Sequence, residues 1–313
     1  MQKYHIHLIY ILIILLFALN LFWYQTQNGS NFENLEDWRE NRINSTEVGA
    51  ASPAVTIFQL PENLKFANEP VPMDEPDIVE RFEREIYVNA YWHSNTLLLI
   101  KRSGKYLPTI EAILAKNGIP EDFKYLAMIE SGLMNVSSPA GARGFWQFMQ
   151  STGKERGLEI NNEVDERYHY VKATQAACDY LKKAYARFGN WTSVAASYNM
   201  GVSGLGRRKV EQKISDYYSL LLNEETSRYM FRILAIKEIM ENPGKYGFEL
   251  QSEDMYTMPL LRELEVSSTI EDLALWAQKH DSNYKILKIY NPWLRGNKLT
   301  ISKGNSYKIE LPA

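Results

Sequence analysis

One glutamate in this sequence has the surroundings that a proton donor needs. Glu130 falls near the end of residues 120–132, where Pro120 suits the first position of a helix and Gly132 suits its end. Most neighbours of Glu130 on that helix are apolar, so its carboxyl group is expected to be partly buried at the negative end of the helix dipole. Both effects favour the protonated form and make Glu130 a candidate general acid. A glutamate that simply reaches water or an arginine is the alternative.

A second group of residues has the chemistry of a sugar site. In the segment 138–149, Gly141 and Gly144 let the backbone approach a ligand closely, and Trp146 offers a flat aromatic face. Gln147 supplies a hydrogen-bond donor and an acceptor. Sugars need this mixture, because their C–H faces stack on aromatic rings and their hydroxyl groups require directed hydrogen bonds. Taken singly, each of these residues is explained as well by core packing or by capping.

A third group lies at the end of a predicted helix. Tyr198 and Asn199 place a hydroxyl group beside an amide, and Gly201 follows them. Asn199 with Gly201 can also be a plain helix end. The group therefore gains functional meaning only in combination with the other two.

In this order, the three groups resemble the motifs of the lysozyme-like lytic transglycosylases of the SLT superfamily. The matching motifs are Glu130-Ser131-Gly132, then Gly141-Ala142-x-Gly144-x-x-Gln147, then Ala196-x-Tyr198-Asn199-x-Gly201. Flanking runs resemble the D-type membrane-bound branch of that family, namely Gly118-Ile119-Pro120-Glu121-Asp122, Val164-Asp165-Glu166-Arg167 and Glu225-Thr226-x-Arg228-Tyr229. The resemblance covers about residues 77 to 250.

The resemblance implies a reaction in which one carboxyl group makes two proton transfers. Glu130 would first protonate the glycosidic oxygen between N-acetylmuramic acid and N-acetylglucosamine. It would then take the proton of the muramyl C6 hydroxyl group, which closes onto C1 and leaves a 1,6-anhydro ring. The family requires no metal ion and no organic cofactor.

The same resemblance, with the chemistry of the residues, gives a set of substrate-binding candidates. These are Ser138, Trp146, Gln147, Met149, Tyr198, Asn199 and Glu225. Ser138 and Gln147 match positions that contact the sugar at the cleavage site, and Tyr198 matches a tyrosine that hydrogen-bonds or orients near the catalytic carboxyl group. Met149 and Asn199 match groove or supporting positions. For Glu225, groove polarity and helix packing are equally open.

Two other functions fit parts of the sequence. A hydrolytic muramidase of the goose-lysozyme type would use a second carboxylate, for which Asp165, Glu163 and Glu155 are available. A non-catalytic peptidoglycan-binding scaffold would keep the groove without the chemistry. Products with reducing ends would identify the hydrolase, whereas sugar binding without turnover would identify the scaffold.

Composition and the N-terminus indicate where the protein acts. The chain of 313 residues is 45% hydrophobic and 23% charged, with a net charge of -3, which argues against a nucleic-acid binder. Lys3 precedes an apolar run over 8–24, which predicts a signal-anchor or transmembrane helix over 1–25. The catalytic part would then lie in the cell envelope, in the periplasm or on the outer side of the cytoplasmic membrane. Export after signal cleavage is the alternative.

Periodicity predicts a mainly α protein with three parts after the anchor. Residues 26–76 are expected to be a flexible acidic tether, and 77–250 a lysozyme-like all-α domain. Residues 255–313 resemble a degenerate α+β LysM module, with helices over 269–279 and 284–290 and short strands over 298–301 and 307–311. LysM modules bind the N-acetylglucosamine of peptidoglycan, although a packing subdomain without glycan affinity is the alternative. The expected partners are thus peptidoglycan glycan strands and a membrane, with protein partners and oligomeric state unreadable from the sequence.

Overall fold

The computed structural model describes residues 55–313, of which Phe58–Ala313 form one packed unit. The predicted anchor over 1–25 and the tether as far as residue 54 lie outside the described residues. Within the described part, no helix has both the length and the apolar character needed to cross a membrane.

Helices make up most of this unit, as the sequence predicts. They are α1 (Pro76–Tyr91), α2 (His93–Lys116), α3 (Lys124–Ser131), α4 (Gln150–Glu155), α5 (Tyr170–Phe188), α6 (Trp191–Met200), α7 (Val202–Gln212), α8 (Glu224–Glu241), α9 (Leu273–Lys279) and α10 (Tyr284–Tyr290). Short 3-10 turns cover Glu121–Phe123, Glu166–Tyr168, Pro243–Tyr246 and Ser252–Asp254. The strands are β1 (Lys65–Phe66), β2 (Glu69–Pro70), β3 (Leu261–Val266) and β4 (Tyr307–Pro312).

The residues before α1 differ from the predicted tether. β1 and β2 form a small antiparallel hairpin, and Phe66 is fully buried with its ring centroid 5.2 Å from that of Phe123. Leu64 and Val71 are also buried in the core. The packed unit therefore begins near Phe58 instead of residue 77. Strands of two residues are too short to produce a hydrophobic period, which is why the sequence does not show them.

Helix α8 runs through the centre of the all-α part that precedes the C-terminal module. Its buried residues are Thr226, Tyr229, Met230, Phe231, Ile233, Leu234, Ala235, Ile236, Glu238 and Ile239. It packs against α1, α3 and α6, so it joins the start of the unit to the helices that carry the predicted site. Gly201 precedes α7, and Gly204 and Gly206 lie in its first turns.

The C-terminal residues form a small module with one sheet. β3 and β4 pair antiparallel, from Leu261 opposite Pro312 to Val266 opposite Tyr307, and α9 and α10 lie between them in the chain. The helix predicted from residue 269 begins at Leu273, because the Asp272 side chain caps it. The predicted strand over 298–301 is reduced to a single bridge between Leu299 and Ile270.

Candidate active site

The helix that carries Glu130 is short and almost entirely buried. Pro120 leads into a 3-10 turn, and α3 itself begins only at Lys124. Four successive residues, Tyr125 to Met128, are buried, because α3 is enclosed by its neighbours on most sides. Gly132 ends the helix in the left-handed conformation, with φ of 61°, which a glycine adopts without strain. Glu130 thus lies in the last turn of a rigid, buried element.

Among residues 55–313, the carboxyl group of Glu130 has one hydrogen-bond partner, which the sequence did not identify as such. The hydroxyl group of Tyr229, a buried residue of α8, donates a hydrogen bond to Oε1 of Glu130. Burial raises the pKa of Glu130 above its ordinary value, and the nearby charge of Glu225 acts in the same direction. The Tyr229 hydrogen bond and the Arg232 charge lower it without reversing the shift. The expectation that burial favours the protonated form of Glu130 is confirmed.

Tyr198 lies in the same region but contacts a different group. Its hydroxyl group donates to the backbone oxygen of Trp146 at 2.7 Å, and its ring packs against that of Phe148. Burial raises the pKa of Tyr198 well above its usual range, and the charge of Glu130 adds to this effect. Tyr198 therefore lies close to Glu130 and holds the loop beside it, whereas Tyr229 makes the hydrogen bond to the carboxyl group.

Arg232 is a further residue of this region that the sequence did not suggest. One turn after Tyr229 on α8, its Nη2 donates to the backbone oxygen of Ile129 at 2.9 Å. A cavity of about 370 Å³ opens beside the end of α3, and its lining includes Arg232, Arg228 and the exposed Trp92. Two signals in the sequence indicated that this face of α8 belongs to the site: the run from Glu225 to Tyr229 that resembles the family, and the spacing of four residues between Glu225 and Tyr229.

The segment 137–148 forms a tight loop. The hydroxyl oxygen of Ser138 accepts from the backbone N–H of Ala142 at 3.0 Å, which closes one end. Gln147 has a φ of 47°, and its Nε2 donates to the backbone oxygens of Val136 and Gly144. Because both N–H bonds of this amide are used within the loop, Oε1 is the atom that Gln147 can offer a ligand. A positive φ at a residue other than glycine is typical of functional sites.

Gly144 is required by a close backbone contact. Its φ is 76°, and a Cβ atom at this position would lie 1.8 Å from the backbone oxygen of Arg167. Only a residue without a side chain permits this approach. The loop and the turn at residues 165–168 are therefore packed backbone against backbone.

The prediction that Trp146 presents a face to the sugar is wrong. Its side chain has no exposed surface, and its indole N–H donates to Oγ1 of Thr174 at 2.8 Å. A large amphipathic side chain suits both a sugar platform and a core position, and the sequence does not separate the two. Met149, by contrast, has 44% of its surface exposed and is accessible to a ligand.

Asn199 and Glu225 meet across α6 and α8. The Nδ2 atom of Asn199 donates to Oε1 of Glu225 at 2.9 Å, and Oδ1 of Asn199 accepts from Thr226 at 2.8 Å. Glu225 is exposed, it takes part in this contact between α6 and α8, and its charge acts on Glu130.

The carboxylates considered as a second catalytic group make other contacts. Asp165 is buried in a salt bridge with Arg167 at 2.7 Å and also pairs with Arg143. Burial raises the pKa of Asp165, but its hydrogen bonds and the charge of Arg167 outweigh this, and the pKa falls below its usual value. Glu163 accepts hydrogen bonds from Thr300 in the C-terminal module. Glu155 is exposed at the end of α4, beside Asp179 and Lys182.

Two known domain families match this chain. Residues 108–220, which include the helix of Glu130, the 137–148 loop and Tyr198, match the transglycosylase SLT domain. Residues 262–313 match the soluble lytic transglycosylase C-terminal LysM-like domain.

Curated proteins from two organisms are similar to this chain. Membrane-bound lytic murein transglycosylase D of Escherichia coli (strain K12) is 29% identical over 231 residues, which are 72% of this chain and 50% of that protein. A putative tributyltin chloride resistance protein of Alteromonas sp. (strain M-1) is 28% identical over 122 residues, 37% of this chain and 59% of that protein. The chain thus spans about half the length of the transglycosylase D that it matches. It carries an SLT transglycosylase domain followed by a LysM-like domain of the soluble lytic transglycosylase type, and it is homologous to membrane-bound lytic murein transglycosylase D.

Proposed function

We propose that this protein is a peptidoglycan lytic transglycosylase that cleaves the β-1,4 bond between N-acetylmuramic acid and N-acetylglucosamine and leaves a 1,6-anhydro end. The observation that carries this proposal is that Glu130, a partly buried residue within the matched SLT segment, has a raised pKa and accepts a hydrogen bond from the hydroxyl group of Tyr229 on α8. The protonated carboxyl group is the acid that the glycosidic oxygen requires.

In this proposal Glu130 makes both proton transfers. As it protonates the glycosidic oxygen it becomes a carboxylate, and the Tyr229 hydrogen bond and the Arg232 charge stabilise that new charge. The carboxylate then takes the proton of the C6 hydroxyl group, whose oxygen bonds to C1 and closes the anhydro ring. Asp165 and Glu163 are held in contacts elsewhere, which supports a single catalytic carboxyl group over the two that hydrolysis uses.

The surrounding residues are proposed to bind the sugars. Ser138, Gln147 and Met149 lie on the loop beside Glu130, and Tyr198 holds that loop through the backbone of Trp146. Asn199 on α6 and Glu225 on α8 are hydrogen-bonded to each other and form the polar side of the proposed sugar site.

The proposal also covers the protein's organisation and location. Residues from Phe58 to about 250 supply the lysozyme-like catalytic part, and 255–313 supply the module that resembles LysM. The apolar run in the first 25 residues anchors the chain in a membrane, and the residues between it and Phe58 are the tether. The homology to a membrane-bound murein transglycosylase supports a location in the cell envelope.

Product analysis tests the proposed reaction. Purified cell wall is digested with the wild type and with Glu130→Gln, and the products are identified by mass spectrometry. We expect anhydro-muropeptides from the wild type and none from the variant, which should still bind cell wall. Products with reducing ends alone would establish the muramidase instead, and sugar binding without any product from the wild type would establish the scaffold.

A further inference from the structure

The C-terminal module does not have a separate core. Its buried apolar residues, such as Leu287 and Leu299, form one cluster with Val164 and Tyr168 of the catalytic part. Val164 is 1% exposed and Tyr168 is 5% exposed, so both are covered by this contact. Removing the module would expose two large apolar side chains, which makes it part of the same folded body.

Directed hydrogen bonds fix the module against residues 159–168. The backbone N–H of Asp165 donates to Trp293 at 2.9 Å, and that of Arg295 donates to Glu163 at 2.7 Å. The Glu163 carboxylate in turn accepts from the N–H and the hydroxyl group of Thr300, at 2.7 and 3.1 Å. Because backbone hydrogen bonds are donated both by the module and by residues 159–168, the module is held in one orientation. Two modules joined only by a linker would not have such bonds.

The docked segment contacts the 137–148 loop on its other side. The hydroxyl group of Tyr168 hydrogen-bonds that of Ser137 at 2.8 Å, and the Arg295 guanidinium of the module lies 4.4 Å from the centroid of the Tyr168 ring. Arg167 donates to the backbone oxygens of Gly141 at 3.1 Å and Phe148 at 3.2 Å. Two continuous sets of contacts thus lead from the module to the neighbours of Ser138 and Gln147.

We propose that the C-terminal module positions the sugar-binding loop of the active site, with Glu163, Arg167 and Tyr168 as the positioning residues that connect the two. The inference rests on the proposed function, because it concerns the loop that carries Ser138 and Gln147. Bound to the catalytic part through its 293–300 segment, the module keeps the 165–168 turn in place, and the turn keeps the loop in place. The C-terminal module therefore contributes to the reaction by holding in place the loop that binds substrate.

Amide hydrogen exchange tests this connection directly. The full chain is compared with Glu163→Ala, which removes the acceptor for Thr300, and with Tyr168→Phe, which removes only the bond to Ser137. The control is Glu265→Ala, whose hydrogen bond to Ser306 stays within the module. We expect exchange in 137–148 to become about tenfold faster or more in the first two variants, with α8 and the control unchanged.

Kinetics on soluble, uncrosslinked glycan strands give a second measurement. A loosened loop should raise KM about threefold to tenfold with a smaller change in kcat, and Glu163→Gln, which keeps an acceptor oxygen, should recover part of the loss. The proposal would be overturned if amide exchange in 137–148 is unchanged in both Glu163→Ala and Tyr168→Phe. It would also be overturned if exchange becomes faster in these variants while KM stays unchanged. The exchange measurement needs no turnover, so it remains decisive even if the wild type yields no anhydro product.

Discussion

Replacing Tyr229 with phenylalanine removes one hydrogen bond from Glu130 and leaves the packing of the ring. The bond is made to a group that becomes charged when it gives up its proton, so it is strongest after ionisation. A hydrogen bond to a charged group contributes about 1.5–3 kcal/mol. If that stabilisation is lost as the carboxylate forms, kcat/KM should fall by about tenfold to a hundredfold.

The pH profile makes this prediction specific. The Tyr229 hydrogen bond lowers the pKa of Glu130, so Tyr229→Phe should raise it further and move the alkaline limb of activity to higher pH. Release of muropeptides from cell wall, measured from about pH 4 to 9, gives both the rate and the limb.

A matched control is available in the 3-10 turn that follows the same helix. Tyr246 is another buried tyrosine, and it donates to the buried carboxylate of Glu238 at 2.9 Å. Tyr246→Phe should lower stability without moving the alkaline limb. The reasoning fails if Tyr229→Phe leaves rate and limb unchanged, or if its limb moves to lower pH.

Three further changes have outcomes that follow from the structure. Because the pKa of Glu130 is raised, the wild type loses stability as the pH rises from about 4.5 through that raised value. The variant Glu130→Gln cannot ionise, so in urea titrations it should have a higher unfolding free energy than the wild type at pH 8 and no advantage at pH 4. Asp165→Asn leaves Arg167 buried without its partner and should cost about 3–5 kcal/mol in the same assay at pH 7. Since the pKa of Asp165 is lowered, the wild type should lose this contribution as the pH falls below about 3.8, and a penalty independent of pH would contradict the assignment. Gly144→Ala should lower the unfolding free energy by about 2 kcal/mol or more, because its Cβ would meet the backbone of Arg167. Gly141→Ala, at φ of 89° with open space around it, should lower it by only about 1 kcal/mol. Equal losses in the two variants would refute the role of the contact.

The sequence predicted those features that depend on neighbours along the chain. The helix over Tyr284–Tyr290 matches its prediction, because its apolar residues repeat at helical spacing. The direction of the Glu130 pKa shift was also predictable, since the almost wholly apolar sequence of α3 indicates a helix enclosed by the core.

Features that depend on distant contacts were not predictable in this way. Tyr229 is 99 residues from Glu130 along the chain, and although its run from Glu225 resembles the family, nothing in that run shows that its hydroxyl group contacts Glu130. Trp146 was predicted to be accessible to the sugar although it is buried, because the residues next to it in sequence are compatible with either environment. The docking of the module depends on Val164 and Glu163, whose partners lie more than 100 residues further on.

The hairpin before α1 has a consequence for dissecting this protein into working parts. The Glu69 carboxylate accepts hydrogen bonds from the N–H groups of Trp191 and Thr192, at 2.6 and 2.8 Å, and so caps the helix that ends with Tyr198 and Asn199. A fragment limited to the matched SLT residues 108–220 would lack this cap, and it would also lack Tyr229. The smallest piece that can be excised, transplanted or displayed with its chemistry intact is therefore far longer than the homologous segment by which it is recognised.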